Sequence, residues 1–428
     1  MKRAVFLLAL AVAACHHVPP APRVVTGAPD NGGPECLRTR TLDSLPALSA
    51  AVAIADPGDC LVLASGRYVA DQPLTVRRSG RAGAPVVIAA EKVGAVIIEG
   101  AAGFAVAAPS AYVTIRGFRF LHEGPLRLAV GTAHCRVTRN VFQNAGVTSY
   151  LVVDGDDTEV DHNELRDKST VGQMLKIGGA PTRPAERTWV HHNHFHDFAN
   201  VHGNGGETIQ VAVGTNSLRP AYSVVEYNLF ERCNGENELV SNKSWRNVYR
   251  FNTFRDSIGE LSLRDGNEVT VEGNVFIGTH GLRIFGDDHD VHDNRFERCD
   301  PAVNVGSGTD PDHVLDQPFG GFDRVDRLRL AYNTFEDNER HLVFQARRLG
   351  ATSPRVAHNL FRGDTGTVFV AGDAPDGPTY EGNVVWGAAD PGPLPAQGFL
   401  RADPASAGVG ARYLERALTT ADVGPLAR

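Results

Sequence analysis

The chain has few cysteines and none in a Cys-x-x-Cys spacing. Its six are Cys15, Cys36, Cys60, Cys135, Cys233 and Cys299, and without paired spacing a zinc knuckle is not expected. It has no basic excess: 42 Lys and Arg face 50 Asp and Glu, a formal charge of −8. An acidic chain is a poor general polyanion binder, so nucleic acid is not an expected partner. Any anionic substrate must meet a local basic cleft. No apolar run approaches eighteen residues, so nothing is long enough to span a bilayer as a helix. Between residues 85 and 390 the 3.6-residue periodicity of helices is almost missing, which points away from helical architectures.

What is present first is a leader. Met1-Lys2-Arg3 precedes a short apolar run, Ala4 to Ala14, and then Cys15. This is a charged n-region followed by an h-region. Val12-Ala13-Ala14-Cys15 resembles the bacterial lipobox, which implies cleavage before Cys15 and acylation of that cysteine. An ordinary signal peptide is the alternative, and either one sends the mature chain outside the cytoplasm. The expected organisation is a leader at 1–14, a Pro- and Gly-rich tether at 15–34, one domain at 35–395 and a tail at 396–428. Membrane contact is expected only through the N-terminal lipid anchor, and no oligomeric state follows from the pattern. In an oxidising compartment Cys36 and Cys60 are the expected pair, stapling the chain's entry into the fold. Five remaining cysteines are an odd number, so at least one buried thiol is expected to stay free.

A repeat fills the domain. An apolar residue, an asparagine and, two residues on, a phenylalanine recur in loose form. They stand as Val137/Asn140/Phe142, Val160/Asn163/Leu165, Val190/Asn193/Phe195, Val225/Asn228/Phe230 and Tyr249/Asn252/Phe254. Then come Val271/Asn274/Phe276, Val291/Asn294/Phe296, Leu330/Asn333/Phe335, Val356/Asn359/Phe361 and Tyr380/Asn383/Val385. An earlier turn, Val113 to Phe120, has Gly117 in the asparagine's place. Successive asparagines lie between 20 and 39 residues apart. The shortest spacing fits one turn of three short strands; longer ones are turns with inserted loops. A single such turn cannot bury its apolar face and must stack on a neighbour. Asparagine at a bend tolerates left-handed backbone angles, and stacked asparagines can bond side chain to side chain. The predicted fold is all-β, a right-handed single-stranded parallel β-helix. A β-propeller would need longer units of about 40–50 residues. Leu45 to Ala55 reads as a short helix covering the N-terminal end, which would otherwise expose sheet edges. The Ala-, Gly- and Pro-rich tail is expected to cover the other end.

The chemistry concentrates in Gly235-Glu-Asn-Glu-Leu-Val-Ser-Asn-Lys-Ser244 and, one repeat later, Leu261-Ser-Leu-Arg-Asp-Gly266. Residues two apart on a strand share a face, so Glu236 and Glu238 are expected to point together. Paired carboxylates need a cation or a shared proton, and a hard oxygen cage suits calcium. A solvated acidic patch is the plain alternative. Lys243 and Arg264, each alone, could equally be exposed strand residues, Arg264 pairing with Asp265 or Glu260. The His191–His196 cluster invites a transition-metal reading. In a strand, however, His192, His194 and His196 share one face and the inward face belongs to the repeat, so metal is not expected there. Asp287-Asp288 resembles a hydrolase pair only in sequence, since adjacent strand residues face opposite sides.

Several segments in order resemble polysaccharide lyase family 6, which holds alginate lyases and chondroitinase B. They are Ala55 to Tyr68, Asn204-Gly-Gly-Glu-Thr-Ile209, Glu236-Asn-Glu238 with Asn242-Lys243-Ser244, Leu263-Arg264-x-Gly266-Asn267, and Gly281-Leu-Arg-Ile284-x-Gly286-x-x-His289. The similarity covers roughly residues 40 to 390. It implies that Lys243 is the Brønsted base, that Arg264 acts at the leaving-group side, and that Asn204, Glu236 and Glu238 hold calcium. Arg283, Lys176 and His289 are candidate contacts to an acidic polysaccharide, and Glu207 is either a group behind Asn204 or an edge residue. One departure stands out: a histidine often follows the arginine in this family, and here it is Asp265. The expected activity is β-elimination in a uronate polymer, alginate first. Dermatan or chondroitin sulfate would call for extra basic residues in the groove. A surface β-helix that only binds glycan would not require Lys243 and Arg264 beside a carboxylate cage.

Overall fold

The computed structural model describes residues 36–426 apart from 145, 147, 148, 200, 310–320 and 413–415. The leader, Cys15 and the tether lie outside the described residues. Short parallel strands build three long sheets of 14, 12 and 14 strands, each strand pairing with its counterpart one turn away. The first sheet runs from Arg38–Leu42 to Thr379–Glu381, the second from Leu74–Val76 to Thr367–Ala371, and the third from Gly66–Val69 to Phe399–Arg401. This is a right-handed parallel β-helix, as the repeat predicts. No helix among the described residues is long and apolar enough to cross a membrane.

Two inward ladders hold successive turns in register. From Asn140 to Asn383, each asparagine donates from Nδ2 to the next asparagine's Oδ1 at 2.9–3.1 Å. The same Oδ1 accepts the backbone N–H of the previous ladder asparagine. Buried corner amides thus find partners without water, as buried polar groups require. Beside them Phe195, Phe230, Phe254, Phe276 and Phe296 stack with centroids 4.6–4.9 Å apart and nearly parallel planes. Phe335 and Phe361 continue the column.

The left-handed residue of each bend is not the asparagine but the residue before it. Arg139, His162, His192, Tyr227, Phe251, Asp293, Tyr332 and His358 all have φ between 51° and 58°. Gly117 belongs to this series, aligning with Arg139, and Phe118 takes the asparagine's place. The asparagine keeps its side chain inside because its predecessor turns the corner. Where these predecessors carry rings, the rings stack outside: His162 on His192 at 5.0 Å, His192 on Tyr227, Tyr227 on Phe251.

The helix forms over Leu45–Ala53, with Ser44 accepting the Ala47 N–H at its N-terminus and Pro46 in its first turn. Leu48, Ala51 and Val52 bury against the first turns, so the helix caps the N-terminal end. Cys36 and Cys60 form the expected disulfide, and Cys135, Cys233 and Cys299 are buried free thiols. The tail does more than cover an end. At the far end Leu394 and Phe399 pack on the core. Beyond them the chain turns back along the flank, over the outer rings. Gly410 N–H meets His358 O, the Arg412 guanidinium binds Asp293 and covers Tyr332, and Leu418 N–H meets Thr253 Oγ1. Gly424 N–H reaches His192 O, and Arg139 donates to Pro425 O. The tail covers the far end through Phe399 and then runs on as a strap.

Candidate active site

The second sheet positions the site. Its outward column runs Lys176, Gln210, Ser241, Ser262, Arg283 on successive turns. The strands are parallel, so groups at their starts collect at one edge and groups at their ends at the other. Glu207, Glu236, Glu238 and Glu260 precede or begin the strands Ile209–Val211, Glu238–Lys243 and Glu260–Asp265. Lys243 and Arg264 stand near the far ends of the last two. Register irregularities between Glu238 and Val240, and between Asn242 and Lys243, locally break the pairing of these two strands. Such irregularities re-aim side chains next to sites.

Glu207, Glu236 and Glu238 each offer a carboxylate oxygen within 4.8 Å of the others. Glu236 accepts the Gly205 and Gly206 N–H groups at 2.8 and 3.2 Å. Burial, and then the Glu207 and Glu238 charges, push its carboxyl up to about 6. Glu238 accepts Ser241 Oγ at 2.5 Å and the Arg283 guanidinium. Glu207 is buried and lies at the end of a relay: Ser149 Oγ donates to Gln173, whose Nε2 donates to Glu207 at 2.9 Å. Its other oxygen lies 3.6 Å from Lys243 Nζ. Glu236 and Glu238 therefore converge as expected, and the third carboxylate is Glu207. Asn204 sits exposed in the preceding loop.

Arg264 is held on several sides. Its Nη1 donates to Asp265 Oδ1 and to Gly321 O, both at 3.1 Å, and its Nε lies 3.7 Å from Glu238. The guanidinium covers the Phe322 ring at 4.1 Å, and Arg347 approaches the same ring at 4.7 Å. Arg283 bridges Glu238 and Glu260, the latter at 3.0 Å. Burial pushes Glu260 up to about 7 despite Arg283. Lys176 lies in the outward column two turns before Ser241. His289 is a correction. It is buried, its Nδ1 accepts the Val269 N–H at 3.1 Å and its Nε2 meets Phe285 O at 2.8 Å. Both nitrogens serve the turn, so neither is left for a substrate.

The histidine cluster spans a corner: His191 ends a strand of the first sheet, His192 is the bend, and His194 and His196 lie on the third sheet. His192 occupies the left-handed corner, so it does not alternate with His194 and His196. Those two rings stack at 4.1 Å, with His194 on Glu231 and His196 between Glu164 and Asp197. Asp288 and Asp287 both face Arg327.

A sequence profile described as chondroitinase B matches residues 42–351. The chain belongs to the chondroitinase B family. Among solved structures, the PL6 family alginate lyase AlyGC superposes with a TM-score of 0.80 at 26% identity, covering 90% of this chain. The chain spans only 58% of AlyGC. A mannuronic acid specific family 6 lyase from human gut microbiota shows TM-score 0.71 and 24% identity, covering 85% of this chain and 90% of that one. A PL6 alginate lyase in complex with a trisaccharide shows TM-score 0.75 and 19% identity, covering 92% and 96%. The last two likenesses speak for the fold alone. No protein of curated function matches the chain. In this member of the chondroitinase B family, the sequence alone did not single out Gln173, Ser149, Gly321 and Phe322. The first two carry no motif, and the last two lie 57 and 58 residues after Arg264.

Proposed function

We propose that this protein is a polysaccharide lyase that cleaves a uronate polymer, alginate first, by β-elimination. The carrying observation is Lys243 and Arg264 on adjacent turns of one sheet, facing a cluster of three carboxylates. In this reaction a proton leaves C5 beside the sugar carboxylate and the C4 glycosidic oxygen departs. Lys243 takes the C5 proton, and Glu207, 3.6 Å from its Nζ, orients the amine. Arg264, always charged, stabilises the negative charge growing on the leaving oxygen. Lys176 and Arg283 supply positive charge along the groove, as an acidic protein needs for an anionic chain.

The donor set fits calcium. Three hard carboxylates crowd together, and burial, with the Glu207 and Glu238 charges added to it, raises Glu236; a cation there would offset both. Glu236, Glu238 and Glu207 would hold it, with the exposed Asn204 reaching in from its loop. When bound, such an ion neutralises the substrate carboxylate and so makes the C5 proton more acidic. The test of the whole reading is a panel of polymannuronate, polyguluronate, dermatan sulfate and chondroitin sulfate, assayed for the unsaturated, UV-absorbing end group. Activity on the alginate blocks supports the reading, activity only on a sulfated polymer moves it to the other family substrate, and silence on all four overturns it. From the lipobox resemblance we also propose that the protein sits outside the cytoplasm on an acyl chain at Cys15, and the Cys36–Cys60 disulfide supports an oxidising compartment. Palmitate labelling that survives Cys15→Ser would contradict the anchor.

A further inference from the structure

Asp265 follows Arg264 on the same strand, and its surroundings give it a task. It is 5% exposed. Its Oδ1 accepts Arg264 Nη1 at 3.1 Å, and it lies in register with Lys243 of the preceding turn. Arg264 and Asp265 are neighbours on one strand and would normally face opposite sides. The register irregularity at Asn242 and Lys243 accompanies an Arg264 side chain that folds back onto its own neighbour. Nη1 is then spent on Asp265 and Gly321, Nε faces Glu238, and one face of the guanidinium lies on the Phe322 ring. Among the described residues Nη2 has no acceptor, so it is the donor left for a ligand.

We propose that Asp265 is a positioning residue: its carboxylate orients the Arg264 fork so that Nη2 meets the departing glycosidic oxygen. This rests on the lyase reading above. The charged and titratable groups facing Asp265 are Arg264 on its own strand, Lys243 and Glu238 on the turn before, and Arg283 on the turn after. Burial dominates them and pushes the carboxyl up to about 6. Below that pH the Arg264 partner becomes neutral and the grip weakens, so turnover falls on the acid side.

The experiment is a double-mutant cycle with kcat and KM read on alginate: wild type, Asp265→Ala, Arg264→Ala and the double variant. Misplacing a reacting group lowers turnover by about 10²-fold. Asp265→Ala is expected to lower kcat by that order with KM nearly unchanged, and to have no further effect once Arg264 is alanine. Equal factors in both backgrounds overturn the proposal. Asp265→Asn keeps the shape and an acceptor oxygen, so it decides the matter if the alanine variant does not fold. It is expected to lose part of the acid-side fall in kcat near pH 6; a pH profile superposing on wild type overturns the proposal. Failure of the underlying reading looks different: the wild type itself then forms no unsaturated product.

Discussion

At the scale of single residues the carboxylate cluster makes a pH-dependent prediction. Glu236 is held near 6 by burial and by Glu207 and Glu238, so protons compete with a cation there. Calcium affinity is expected to weaken as pH falls through about 6. The linkage sign for the metal-free protein follows. A carboxyl raised in the folded state favours folding below its unfolded value and loses that contribution as pH rises through its folded value. Glu260, raised to about 7 by burial, acts in the same direction. Added calcium should therefore raise the melting temperature more at pH 8 than at pH 5. Equal shifts at both pH values would remove the ion from this cluster. That Lys243, Arg264, Glu236 and Glu238 come together on one sheet was legible because short motifs carry them. Glu207 was not, because its partners Gln173 and Lys243 come from turns on either side of it. His289 sits in a motif-like turn, but that turn uses the ring for its own backbone.

At the scale of elements the asparagine ladder carries the register of the solenoid. Asn274 donates to Tyr249 O, Glu272 O and Asn294 Oδ1, and accepts from the backbone and side chain of Asn252. All are buried. Each buried polar group left without a partner costs about 1–3 kcal/mol. Asn274→Ala strands several, so a loss of about 3 kcal/mol or more in denaturant unfolding is expected; a loss under about 1 kcal/mol would show that the ladder follows the fold rather than holding it. The periodicity of this ladder, its phenylalanine companion and the capping helix were all readable from spacing. The bend was read one residue out of place. A left-handed angle leaves no mark when Arg, His, Tyr, Phe or Asp adopts it, whereas the asparagine beside it recurs and draws attention.

At the scale of the whole molecule, a stack of turns turns distance in sequence into distance along one axis. Domain class and the rough place of the site follow from that. The strap does not. Its contacts join residues as far apart as Arg139 and Pro425, and no period links them. Nor does the Gly321 and Phe322 clamp on Arg264, which arrives from a turn with a long insertion. The central claim is that the basic edge of the second sheet performs β-elimination with Lys243 as base. A general base contributes about 10²–10⁴-fold to turnover. The most direct measurement is the rate of unsaturated end-group formation from alginate by wild type and by Lys243→Ala, with matched melting temperatures confirming that both are folded. The account predicts steady product from wild type and a loss of about 10²-fold or more in the folded variant. A folded Lys243→Ala protein working at close to the wild-type rate would contradict it.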